Sequence, residues 1–419
     1  MSTSPDSGSD LSSASGSSAS EDWVEDVRVA PGIASHFRLI PAQMRQAEVP
    51  VPETRAEQRL MLAGLERATD QVLGYMAGFQ GVSTRGVTFS QVWVPALEYG
   101  AHKEQPHAGV PYSHPPDSSA KTPVPSASSS SPSSCGGPAH ACCSGGDAGS
   151  GGEEDEDARV LVDVYQPQGE GPHSAVVWLH GGAMAFLSPN TKTYRVMGYL
   201  LAGAGIKVFL PHFTNSRVAP FPRGLHDCVS TVQWVLEHQA PLGISSQVVV
   251  CGESGGGNLC LATALLAHRV GLEGIRGVYS MCPLIRGVYP ADDCPSHREF
   301  HSWVIKMNGP FGKMLVDLYS VEGEEDQPLS PSQYTSLMWP SVASEEELKT
   351  LPPTVISVNE LDPLRDEGLT FARRAAKAGA NVRYLIRGGL THAADLYYGL
   401  VPTHTKATVA DIAAFVSSL

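Results

Sequence analysis

No stretch of this 419-residue sequence approaches the roughly 18 uninterrupted apolar residues that a membrane-spanning helix needs. The first twenty residues, mostly Ser, Gly and Asp, also lack the apolar core of a secretory signal. Positive charge is scarce, with 29 Lys and Arg against 43 Asp and Glu and a formal net charge of −14. No basic patch interleaved with aromatics appears, so nucleic acid is excluded as a partner. Eight cysteines are present without a disulfide framework. Cys251, Cys260 and Cys282 fall in apolar segments, where a reduced thiol acts as a small core residue. Cys135, Cys142 and Cys143 lack the paired spacing of a zinc site. His212, His226 and His268 show no ligand spacing and read as structural or surface residues. There is no phosphate-cradling glycine loop and no metal motif, so no cofactor and no metal is expected. These absences point to a soluble, cytoplasmic protein with no membrane span; its oligomeric state is not legible.

What is present is enough apolar content, 42%, for a sizeable core, nearly all of it outside two low-complexity stretches. The first runs from Met1 to about Ser20 and is expected to be a disordered tail. The second is a Ser/Pro/Gly tract from about Tyr99 to Gly152, followed by the acidic run Glu153–Asp157, a solvated loop. Between them, the spacing of Met61, Leu65, Ala68, Val72, Met76 and Phe79 predicts a helix with one buried face. Strand-like runs follow at Val87–Val94 and Arg159–Tyr165. Six more come at Ala175–Leu179, Ile206–Leu210, Gln247–Cys251, Val278–Met281, Thr354–Val358 and Val382–Ile386. Most are nearly continuous apolar runs, as in strands covered on both faces, and helical patterns separate them. Asp366 is placed to cap a helix ending at Gly379, and Ile412, Phe415, Val416 and Leu419 form a final helical stripe. Alternation of this kind gives an α/β fold with a mostly parallel sheet. The stretch Arg286–Thr350 is too long for a simple crossover; carrying Trp303, Phe311, Met314, Leu318 and Trp339, it is expected to form helices of its own.

Three ordered signals carry chemistry. Gly252-Glu253-Ser254-Gly255-Gly256 stands between a strand and the helical segment Asn258–Ala267. Glycines flanking a serine permit the sharp turn that projects a nucleophilic hydroxyl from a sheet's edge. His180-Gly181-Gly182-Ala183 likewise follows a strand. Acyl transfer needs backbone N–H groups aimed at a developing oxyanion, and those of Gly182, Ala183 and Gly255 are the candidates. Asp362 and His392 follow the last two strands, in the order serine, acid, histidine. His392 is then the base for Ser254, and Asp362 fixes its tautomer. Glu360 and Asp366 are rival acids, the first displaced from the turn by two residues and the second better read as a helix cap.

HGGA at His180, GESGGG at Gly252, DPLRDEG at Asp362 and the histidine at His392 together resemble the hormone-sensitive-lipase-like family of α/β-hydrolases. That family includes arylacetamide-deacetylase-like and bacterial esterases. The stretch Arg217-Val218-Ala219-Pro220-Phe221-Pro222 is similar as well. The likeness is continuous from about Ser174 to Leu419 and weaker from Glu21 to Val94. Ala183 stands where the family commonly has a third glycine, and Ala393 where it has a glycine after the histidine.

The resemblance implies an eight-stranded, mostly parallel α/β-hydrolase sheet with helices on both faces and a helical cap. It implies one domain over 21–419, with a cap drawn from about 21–85 and 286–350. Its opening strand pair would be Val87–Val94 and Arg159–Tyr165, which makes the region of about 99–157 a disordered hairpin-loop insertion. The expected function is hydrolysis of small to medium carboxylic esters through an acyl-enzyme intermediate. An amidase or deacetylase with the same triad is the alternative, since only the leaving group differs. A non-catalytic small-molecule receptor of the same fold is another; the plant gibberellin receptor lacks the triad histidine, whereas His392 and Asp362 are both present here.

Overall fold

The structure is a computed structural model, and it describes residues 26, 28–39, 49–78, 81–97, 159–300, 305–322 and 327–419, with no side-chain description at 69–75, 77 and 322. The N-terminal tail, the 99–157 insertion, Phe79, Trp303 and the side chain of Val72 lie outside this description. By contacts the chain divides into a large unit, 1–99 with 157–419, and a small one, 100–156. Only the large unit contains described residues.

Eight strands build one sheet in the large unit. They are β1 (Thr88–Pro95), β2 (Arg159–Gln166), β3 (His173–Leu179), β4 (Ile206–Pro211), β5 (Ile244–Glu253), β6 (Ile275–Met281), β7 (Thr354–Asn359) and β8 (Val382–Arg387). Their spatial order is β1-β2-β4-β3-β5-β6-β7-β8. β2 runs antiparallel to both neighbours, and the remaining pairs are parallel. Val176, Val177, Trp178, Val249, Val250 and Cys251 are buried in the middle of the sheet. The branched side chains suit a pleated surface covered on both faces. The two edge strands depart from that pattern: β1 is exposed along most of its length, and β8 leaves Tyr384 and Ile386 about half exposed, at 47% and 51%.

Helices α3 (Lys192–Gly203) and α8 (Pro402–Ser417) pack together, and α4 (Arg223–Glu237) packs on α5 (Gly255–Arg269). Before them come α1 (Pro31–Phe37) and α2 (Arg55–Ala77). The C-terminal stripe behaves as its spacing predicts, with Ile412, Phe415 and Val416 buried. The second helix differs from expectation in two ways. It starts at Arg55, because Thr54 and Glu57 form a reciprocal capping box that satisfies its first N–H groups. Its buried face carries Leu62 and Met76, while Ala68 is exposed. Helix α7 (Arg365–Ala378) ends as expected at Gly379, φ 102°. Its N-cap, however, is Leu364, and Asp366 lies inside the first turn.

The long stretch 286–350 contains α6 (Pro310–Tyr319), short helices at Ser296–Glu299 and Glu345–Lys349, and 3₁₀ turns at Pro331–Gln333 and Pro340–Val342. Trp339 and Met314 are buried, and Trp339 donates from Nε1 to Ser320 Oγ at 2.9 Å.

Pro95 and Arg159 are ladder partners, so the chain leaves β1 and re-enters β2 at neighbouring points. Replacing 99–157 by a short turn should therefore keep the fold. Loop-closure entropy favours the shorter connection, by about 2 kcal/mol for each tenfold shortening. The expected result is an unchanged far-UV spectrum and a melting temperature at or above that of the full chain.

Candidate active site

The parallel strands β5, β6 and β7 end side by side: Glu253 pairs with Met281, and Met281 with Ser357. Ser254 follows β5 with φ 57° and ψ −119°, a conformation that L residues rarely adopt. Such a backbone costs on the order of 1–3 kcal/mol and persists only where the surroundings enforce it. Here the Ser254 N–H donates to Met281 O at 2.9 Å, and its carbonyl accepts from Leu284 N at 3.0 Å. Close approach explains the glycines beyond it. A Cβ on Gly256 would sit 2.0 Å from Leu179 O, and one on Gly255 would sit 2.6 Å from Met184 N. Only hydrogen at these positions lets α5 start against the loop that follows β3.

That loop is the His180–Ala183 segment. Gly182 (φ 92°), Ala183 (φ 53°) and Met184 (φ 56°) run through left-handed conformations, and the Gly182 carbonyl accepts from Ala185 N and Phe186 N at 2.9 and 3.1 Å. The N–H groups of Gly182 and Ala183 meet no protein acceptor among the described residues. Gly255 offers the first N–H of α5, which no helix can satisfy internally. The first turn of α5 lies against this loop, so these three N–H groups are near one another.

His180 braces this loop. Its ring stacks on Phe213, centroids 4.1 Å apart, and Nδ1 donates to Gly181 O at 2.8 Å. Because a trans peptide holds C=O and N–H opposed, fixing that carbonyl also aims the Gly182 N–H. Burial drives the His180 pKa down to about 3, so the ring is neutral with its proton on Nδ1.

Two residues without an assigned role in the sequence reading complete the brace. Glu253 Oε1 accepts from Gly181 N at 2.9 Å and from Tyr194 Oη at 2.7 Å. Burial raises the Glu253 carboxyl to about 8, against the lowering effect of the Tyr194 hydrogen bond. Burial thus favours the protonated form of this carboxyl. One signal was available: an acid ending an otherwise apolar strand needs a buried partner.

Alanine at 183 is strained by about 1–2 kcal/mol relative to a right-handed residue. Glycine there would remove that strain at an unfolded-state cost of about 0.4–1 kcal/mol. Ala183→Gly is therefore expected to raise the melting temperature by roughly 1–2 °C in calorimetry.

Beyond the ends of β7 and β8 lies the acid–imidazole pair. His392 Nδ1 donates to Asp362 Oδ2 at 2.9 Å, and both residues are buried, at 6% and 0% exposure. Asp362 Oδ1 accepts from Leu364 N at 2.8 Å, which locks the carboxylate's rotation. The rival acids are engaged elsewhere: Glu360 accepts from Gly389 N at 2.8 Å, and Asp366 from Ser296 N at 2.8 Å. Asn359 ties the histidine's loop to the end of β7, donating to Thr391 O (2.7 Å) and Asp395 Oδ1 (3.1 Å). Burial lowers the His392 pKa, but the charge and hydrogen bond of Asp362 outweigh it, and the net shift is upward. The Ser254 hydroxyl makes no hydrogen bond among the described residues; such contacts often tighten only around a substrate. Ser254 is 9% exposed, which leaves a narrow approach to it.

Comparison with known proteins bears out the fold. The family model described as "alpha/beta hydrolase fold" matches residues 176–396. An arylesterase from Saccharolobus solfataricus is 27% identical over 263 residues, covering 61% of this chain and 78% of that protein. The solved esterase Est22 superposes with a TM-score of 0.72 at 26% identity, over 94% of this chain and 99% of its own. Brefeldin A esterase, described as a bacterial homologue of human hormone-sensitive lipase, gives a TM-score of 0.68 at 30% identity over 93% and 94%. This chain belongs to the α/β-hydrolase fold family, as an esterase-type hydrolase of its hormone-sensitive-lipase-like branch.

Proposed function

We propose that this hydrolase cleaves small to medium carboxylic esters through an acyl-enzyme intermediate, with Ser254 as nucleophile, His392 as base and Asp362 as its orienting acid. The observation that carries the assignment is the buried 2.9 Å His392–Asp362 pair at the same strand ends as the strained Ser254 turn. His392 takes the hydroxyl proton as Ser254 attacks the carbonyl carbon, then delivers it to the departing alkoxide. The N–H groups of Gly182, Ala183 and Gly255 receive the oxyanion; each such donor is worth roughly 3–4 kcal/mol in the transition state. Water, activated by the same imidazole, releases the acid.

The proposed cap, drawn from the segments of about 21–85 and 286–350, sets substrate size. Ser296 links the second of them to the Asp362 loop, donating from Oγ to Pro363 O at 2.7 Å. No helix among the described residues is long and apolar enough to cross a membrane. A cytosolic setting is supported by the five described cysteines, all unpaired.

A p-nitrophenyl ester series of increasing chain length tests this function and measures the pocket. Turnover should be highest on short and medium acyl chains; no turnover on any ester would refute the reading. The active form needs a neutral imidazole, and Asp362 raises its pKa. Activity should therefore fall as pH drops through a midpoint above the ordinary histidine value of about 6.5. A kcat/KM profile between pH 5 and 8 would show it.

A further inference from the structure

The catalytic pair has a neighbour that the proposed ester chemistry does not use. Cys282 follows β6, its N–H donates to Ser357 O at 2.7 Å, and its backbone is held at φ 42°. The thiol is 1% exposed, beside the Asp362 carboxylate and the Ala393 N–H. Burial and the Asp362 charge hold it well above the ordinary thiol range, so it is neither a thiolate nor a competing nucleophile. Yet its sulfur, a ring nitrogen of His392 and a carboxylate oxygen of Asp362 all lie within 4.8 Å of one another.

Thiolate, imidazole and carboxylate are the donors that zinc selects. Zinc bonds of about 2.0–2.3 Å at tetrahedral angles set donor separations of roughly 3.3–3.6 Å. The 4.8 Å limit bounds the three separations from above, so the thiol must draw in around an ion while the 2.9 Å His392–Asp362 contact opens by a few tenths of an ångström. The donors come from three segments far apart in sequence, which is why no ligand spacing announces them.

We propose that Cys282, Asp362 and His392 form an inhibitory site for Zn²⁺ or a similarly soft divalent cation, a site that switches off the base of the proposed esterase. This inference rests on the triad assignment above. On binding, the thiol loses its proton to solvent as the Zn–S bond forms. The His392 proton moves from Nδ1 to Nε2 as Nδ1 binds the metal, so one proton is released per ion. An imidazole carrying hydrogen on Nε2 has no lone pair for the Ser254 proton, and hydrolysis stops. The hard cation Mg²⁺, which prefers oxygen ligands, has little affinity for this set.

The test uses the full chain, freed of metal by chelation and assayed on p-nitrophenyl acetate in a non-coordinating buffer. Micromolar Zn²⁺ should lower the rate more than tenfold, EDTA should restore it, and equal Mg²⁺ should leave it unchanged. Cys282→Ala should raise the half-inhibiting Zn²⁺ concentration at least tenfold relative to its own uninhibited rate. An unshifted half-inhibiting concentration, or no inhibition of the wild type at 1 mM Zn²⁺, overturns the proposal. A second readout needs no turnover: Co²⁺ should give a thiolate charge-transfer band in wild type and in Ser254→Ala, and Cys282→Ser should lose it. A band that persists in Cys282→Ser, or never appears, also overturns the site. If the wild type hydrolyses no ester, the triad reading fails, and the cobalt band still decides whether the metal site exists.

Discussion

Ser254→Ala is expected to lower kcat on p-nitrophenyl esters by about 10⁴–10⁶ while leaving the fold intact. That loss corresponds to about 5–8 kcal/mol of transition-state stabilisation. The reasoning is structural as well as chemical. The turn at φ 57° is held by backbone bonds to Met281 and Leu284, neither of which involves the hydroxyl. Alanine therefore keeps the strained geometry and removes only the nucleophile. A fluorophosphonate probe should label the wild type at Ser254 and leave the variant unlabelled. Labelling that persists in the variant would move the nucleophile elsewhere. Because the N–H donors of Gly182, Ala183 and Gly255 survive the substitution, a residual rate above that of water is expected.

Asp362→Asn should cost about 10⁴ in kcat with little change in melting temperature, because the amide stabilises the wrong imidazole tautomer while filling the same space. Glu360→Gln separates the two candidate acids. Glu360 is committed to the Gly389 N–H, which a glutamine carbonyl can still accept, so its kcat should stay within a few-fold of wild type. Equal losses in the two variants would contradict the assignment. The pair of measurements also reports on tautomer control: a chemical role for Asp362 lowers kcat at unchanged KM, whereas loss of the loop's shape would alter both.

The sequence was a good guide to where the strands lie. Strand positions followed from β-branched apolar runs such as Val176–Leu179, because a strand buried on both faces tolerates few polar side chains. Ser254, Asp362 and His392 stood out because each follows such a run, where a parallel sheet gathers its loops at one edge. Cap chemistry was harder to place. Asp366 resembles an N-cap in sequence, yet its carboxylate accepts from Ser296, a partner contributed by a distant segment. Likewise Ala68 fits an apolar spacing but faces outward, since what covers a helix is decided by its neighbours.

Sequence by itself determined the strand-turn-helix around Ser254, the donor loop at His180–Ala183 and the order of acid and base. The first two depend on residues within a few positions of one another, and the third only on the order of motifs along the chain. Only the tertiary structure decided that Asp362 and not Glu360 meets His392, that Glu253 and Tyr194 brace Gly181, and that Cys282 stands beside the pair. The physical reason is range. Backbone propensity and turn chemistry act over a few residues, whereas which side chains share a buried space depends on strand order and register, and those are fixed only when the whole sheet closes on its core.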